Sequence, residues 1–88
     1  MSERFDAIRA EIVGNDHAIV SAVNHRLALV TELWRLKGEL GLDTVDPDRE
    51  RRLNEALVAA NAGPLSEDGV ERLVAELLAL TKRELGAS

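Results

Sequence analysis

The sequence has no cysteine, two prolines, two histidines and, in Phe5 and Trp34, two aromatic side chains. Without cysteine, disulfides and thiolate metal sites are excluded. His17 and His25 lie eight residues apart with no companion ligand pair, which argues against zinc. Basic residues are outnumbered 11 to 16, leaving a net charge of −5. Nucleic-acid binding wants a basic face and stacking aromatics, so this composition speaks against it. No apolar run approaches the roughly 20 residues of a membrane span, and no secretory apolar core follows Met1. Glycine-rich phosphate loops and nucleophile motifs are also missing. A cytoplasmic protein without membrane or nucleic-acid partners is the expectation.

What is present is a helix pattern. Hydrophobic residues make up 45% and charged residues 31% of 88, the balance of a folded chain and enough for a single domain over 1–88. A chain of this size buries only about 60–65% of its unfolded surface, so its own core is marginal. From residue 3 to 40, Phe5, Ile8, Ile12, Ile19, Ala22, Leu29, Leu33, Leu36 and Leu40 recur at alternating spacings of three and four, or their sums. That is one stripe of a long helix. Gly14 lies inside it at a cost of about 1 kcal/mol, and Asn15 and Arg26 are polar interruptions. Asn15 reads as a register device or a small polar core contact. Residues 41–45 connect to a second helix, opened by Asp46 as N-cap with Pro47 at the first helical position. That helix carries Leu53, Ala56, Leu57 and Ala60 and stops at Asn61-Ala62-Gly63-Pro64. Ser66 caps a third helix, with Leu65 and Val70 spaced as a hydrophobic staple. Its inward stripe is expected to be Val70, Leu73, Val74, Leu77, Leu78 and Thr81.

The first helix sets the quaternary expectation. About 38 residues at roughly 1.5 Å each give a rod near 57 Å. A compact chain of this length has a radius of gyration near 12 Å, hence a diameter of about 30 Å. Two short helices cannot cover such a rod, and a second copy is the simplest partner. An intertwined all-α homodimer is expected.

Charged residues stand where apolar ones belong. Arg26 is on the stripe, and Lys37 follows 11 residues later on nearly the same face. Arg9 precedes Arg26 by 17 residues and points about 100° away, so the two suit one pocket only across a two-fold axis. Arg49 shares a face with Leu53, Ala56 and Ala60, which turns it inward, and Thr81 continues the stripe of the third helix. Each has a plainer alternative: Arg26 as a snorkelling or ion-paired side chain, Lys37 as a solvated helix end, residues 49–52 as an ordinary charged first turn, and Thr81 bonded to its own preceding turn. Together, several cations in an apolar helical interior need compensation. Inward-facing acids are too few, and a dicarboxylate gripped by arginine forks supplies it.

The strings Ile8-Arg9-Ala10-Glu11-Ile12 with Asp16, Asn24-His25-Arg26-Leu27, Leu36-Lys37, and Val45-Asp46-Pro47-Asp48-Arg49-Glu50 resemble the bacterial all-helical (type II) chorismate mutases. The intervals between Arg9, Arg26, Lys37, Asp46, Arg49 and Glu50 match that pattern without a gap, and the Asn61–Ser66 loop is similar too. The resemblance implies an isomerase with two equivalent sites per homodimer, converting chorismate to prephenate in aromatic amino-acid biosynthesis. It implies no metal, no cofactor and no covalent intermediate. It also implies that Arg26 and the partner's Arg9 hold the substrate carboxylates, Lys37 donates to the ether oxygen, and Glu50 with Asp46 holds the ring hydroxyl. Arg49 would support that corner, and Thr81 would stand at a substrate-contacting position. The family commonly has a second ether-oxygen donor one turn later. Here that place falls on Leu85, with Glu84 adjacent but about 100° off. A weak enzyme aided by a shikimate-pathway partner enzyme is therefore one expectation. Isochorismate pyruvate lyase or aminodeoxychorismate mutase activity is an alternative on the same cationic frame. A non-catalytic helical dimer acting as a regulatory or interaction module is another.

Overall fold

In a computed structural model describing residues 2–86, the chain forms three helices: α1 (Glu3–Leu40), α2 (Pro47–Ala60) and α3 (Glu67–Leu85). No strand occurs among the described residues. This is the all-α architecture read from the heptad spacing and the capping residues. By internal contacts the chain divides into two units at Glu32–Leu33.

The first unit is the body of α1. Ser2 caps it: the Phe5 N–H donates to Ser2 Oγ at 3.1 Å, and the Asp6 N–H to the Ser2 carbonyl at 3.2 Å. Glu3 and Asp6 put negative charge at the positive end of the helix dipole. Gly14 and Asn15 are absorbed without a break. No residue of α1 is buried. Its stripe residues Phe5, Ile8, Ile12, Ile19 and Leu29 are 39–58% exposed. Val13 and Val20, each one position beyond a stripe isoleucine, are also exposed, so the apolar face is wider than one seam.

The second unit contains the end of α1, then α2 and α3, which pack on each other. Gly41, at φ 71°, closes α1: its N–H reaches the Gly38 carbonyl at 3.2 Å, and the Leu42 N–H reaches the Lys37 carbonyl at 2.8 Å. Those two bonds are a Schellman end, which needs the left-handed conformation that glycine adopts without strain. Asp46 caps α2 through its side chain, with Pro47 inside the first turn, and Asn61 ends it. The Asn61 amide then donates to the Leu65 carbonyl at 2.6 Å, while its side-chain oxygen accepts from the Gly63 N–H at 3.2 Å. Ser66 Oγ accepts the Gly69 N–H at 3.0 Å and starts α3. Leu65 lies over Gly69, where an added Cβ would meet Leu65 Cδ1 at 2.5 Å.

The core of this unit runs along α3, where Val70, Val74 and Thr81 are buried and Leu77 and Leu78 half-buried. Two expected inward positions differ. Leu73 is 51% exposed, and Arg49 on α2 is exposed. Leu57 on α2 is likewise uncovered, so the α2–α3 contact is narrower than the apolar faces that form it.

Candidate active site

Lys37 is placed by the end of α1. Its carbonyl accepts the Leu42 N–H, which pins the last turn, and its Nζ lies 3.4 Å from the Thr44 carbonyl. The side chain is half-buried and lines an open pocket with Leu42, Asp43, Val45, Asp46 and Pro47. Lys37 and Asp46, singled out separately in the sequence, thus share one wall. Asp46 is committed locally as well: its Oδ1 accepts the Arg49 N–H at 3.2 Å and its carbonyl accepts the Glu50 N–H at 3.0 Å. The cap therefore fixes the first turn of α2, from which Arg49 and Glu50 project.

Glu50 is half-buried, and its Oε1 lies 3.0 Å from the Nζ of Lys82 on α3. Asp48 is drawn away by Arg51 and Arg52 on the same helix, the latter at 3.3 Å. Hydrogen bonds from Asp48 and then Glu55 hold the exposed Arg51 guanidinium above its ordinary value. The acid left facing α3 is Glu50. Thr81, 5% exposed, donates its hydroxyl proton to the Leu77 carbonyl at 2.7 Å, the local bond that its position in the third helix allows. Beyond it, Leu85 is half-buried and Glu84 exposed.

Arg9 and Arg26 belong to the first unit. Arg9 is exposed, with its guanidinium carbon 5.2 Å from the Phe5 ring centroid, a cation–π arrangement one turn apart. Arg26 is half-buried on the stripe. His17 and His25 are exposed, and no group of three or more potential metal ligands occurs among the described residues.

Lys82 is the member that sequence reasoning misses. It stands 32 residues from Glu50 on another helix, and its neighbours in sequence mark it only as a favourable charge in a last helical turn. The second unit thus offers an ammonium at a closed helix end, an acid paired with a second ammonium, and a buried hydroxyl. These groups hold and polarise a ligand. They contain no nucleophile with an adjacent base.

Comparison with known proteins bears on what that ligand is. The family model described as chorismate mutase type II matches residues 8–84. Two crystal forms of the chorismate mutase from Thermus thermophilus are similar to the chain, each with a TM-score of 0.86 and 34% identity. Both matches cover 90% of this chain, with 99% of the form I chain and 90% of the form II chain. No curated protein matches.

Proposed function

The chain belongs to the type II chorismate mutase family, and from that premise we propose that it isomerises chorismate to prephenate in sites that two copies of the chain complete together. As a member of that family it is an isomerase of the shikimate pathway, serving aromatic amino-acid biosynthesis. The reaction breaks the ether C–O bond and forms a C–C bond within one molecule, so the enzyme needs no covalent intermediate. Its work is to hold the enolpyruvyl arm folded over the ring and to keep donors where charge develops.

In this reading Lys37 donates to the ether oxygen, whose negative charge grows as the bond lengthens. Its support is an ammonium on a pinned helix end, half-buried beside Asp46. Arg26 and Arg9 of the partner subunit take the two carboxylates, as planar forks suit them. Glu50 accepts the ring hydroxyl, with Asp46 beside it and Arg49 in support. Thr81 contacts the substrate through the lone pairs that its bond to Leu77 leaves open. Leu85 excludes water where a second donor would stand, and the isolated enzyme is slow for want of it. A shikimate-pathway partner enzyme that raises this activity completes the proposal.

The homodimer is supported by α1, 38 residues long with none buried. Its exposed stripe wants a cover of matching periodicity, and a second α1 has it. We assign the dimer to the cytoplasm. No helix among the described residues is long and apolar enough to cross a membrane.

One observation carries the assignment: the family match over residues 8–84 contains Arg9, Arg26, Lys37, Asp46, Arg49, Glu50 and Thr81. The test is incubation of the pure protein with chorismate, following its absorbance and identifying the product. Prephenate as sole product is expected. No turnover, or release of pyruvate, overturns the reading.

A further inference from the structure

We propose that Lys82 is a positioning residue that sets the polarity of the Glu50 corner, making it selective for a neutral ring hydroxyl over a ring ammonium. This rests on the reading of Glu50 as the acceptor for that hydroxyl.

The pair differs in kind from its neighbours. Arg35–Glu39, Arg51–Glu55 and Arg72–Asp68 each link one turn of a helix to the next, with side chains more than half exposed. Lys82–Glu50 joins α3 to α2, with side chains only 33% and 26% exposed. Two anchors hold it. The Glu50 N–H is bound to the Asp46 carbonyl in the capped first turn of α2. The Lys82 carbonyl accepts the Gly86 N–H that closes α3, and the C-terminal end of that helix favours a cation. Neither backbone is free to drift, so the pair presents a fixed surface.

A carboxylate has about four lone-pair positions, and an ammonium has three protons. The contact between Glu50 Oε1 and Lys82 Nζ uses one of each. What remains is an acceptor beside a donor. A hydroxyl matches both, giving its proton to Glu50 and accepting from Lys82. A ring ammonium can only donate, and it meets like charge at Lys82, which disfavours it. Remove Lys82 and the corner becomes a lone carboxylate, which prefers the cation. Lys82 therefore contributes to discrimination between chorismate and its 4-amino analogue, two substrates that differ only at this ring position.

The test is steady-state kinetics of the full chain on chorismate and on 4-amino-4-deoxychorismate, with melting curves alongside. Lys82→Gln should lower kcat/KM for chorismate about threefold to tenfold, in the range for one partly exposed charge contact. It should also shift the chorismate-to-amino ratio toward the amino substrate by about tenfold. Lys82→Arg should restore the wild-type ratio, because it restores the charge. Lys82→Met supplies the same comparison if the glutamine variant does not fold. A loss of packing would lower both substrates together, so an unchanged ratio in a folded, uncharged variant overturns the proposal. Glu50→Gln separates the two layers. It should slow chorismate turnover, and if it leaves kcat/KM at the wild-type value, the Glu50 assignment itself fails.

Discussion

Replacing Ile19 by aspartate should dissociate the protein and silence it. Ile19 sits on the stripe of α1 and is 53% exposed in the single chain. Seven stripe residues (Phe5, Ile8, Ile12, Ile19, Leu29, Leu33 and Leu36) are 39–58% exposed. Full burial of such a side chain contributes about 1.5–3 kcal/mol, so covering the remaining half adds about 0.7–1.5 each. Seven give about 5–10 kcal/mol per chain, or about 10–20 for a two-fold pair. Association itself costs about 4–15 kcal/mol in lost freedom. The balance is favourable but not large. In the symmetric pair Ile19→Asp acts twice: it removes about 1.5–3 kcal/mol of apolar burial and buries two carboxylates, at an effective penalty of several kcal/mol each. That exceeds the margin. Sedimentation equilibrium at micromolar protein should show about twice 9.6 kDa for the wild type and single-chain mass for the variant. Mutase activity should fall to background in parallel. Ile19→Leu, which keeps the apolar burial, should remain dimeric and active. A wild-type protein that sediments as one chain, keeps α1 helical and turns over chorismate would refute both the dimer and the assignment of Arg9 to the partner's site.

Arg9→Ala and Arg26→Ala should each abolish activity, and mixing the two under demonstrated subunit exchange should restore part of it, since a mixed dimer holds one site with both arginines. Exchange without recovery would dissolve the shared site. Lys37→Ala should cut kcat by about 10²–10³ with little change in KM, as expected for removal of one preorganised donor to developing charge; an effect confined to KM reassigns Lys37 to carboxylate binding. Leu85→Gln should raise kcat/KM while lowering stability by about 1–3 kcal/mol in the absence of substrate, when its amide has no partner. A fast wild type slowed by this change would move the second-donor role to Glu84. Ser66→Ala should cost about 1 kcal/mol in thermal or denaturant unfolding by freeing the Gly69 N–H; no change in the melting curve would mean that the cap adds nothing.

The helix boundaries were legible because each depends on bonds between residues close in sequence. Asp46 reaches Arg49, Ser66 reaches Gly69, and Asn61 reaches Gly63 and Leu65, all within four positions. Heptad spacing likewise sets the length of α1 without tertiary information. Exposure was less legible, because it depends on what covers a face: Leu73 and Arg49 lie where periodicity turns them inward, yet they stand open where α2 and α3 alone do the covering. The candidate site divides along the same line. Lys37, Asp46 and Glu50 could be selected from intervals in the chain. Lys82 could not, because its pairing with Glu50 depends on how two helices meet.

The connection after α1 makes Lys37 a coupling between loop and chemistry. Its main chain accepts from Leu42 and its side chain reaches Thr44, so residues 41–46 are strung between two atoms of one lysine and the cap of the next helix. Such a linkage transmits dimensional errors. An inserted or deleted residue would displace the ammonium at one end and the turn bearing Glu50 at the other, while the three helices keep their own hydrogen bonds. Loop-length variants of this enzyme should therefore melt near the wild-type temperature and yet turn over poorly. Gly41, held at φ 71°, is the pivot of that linkage, so a side chain there disturbs where the charge sits before it disturbs whether the helix forms.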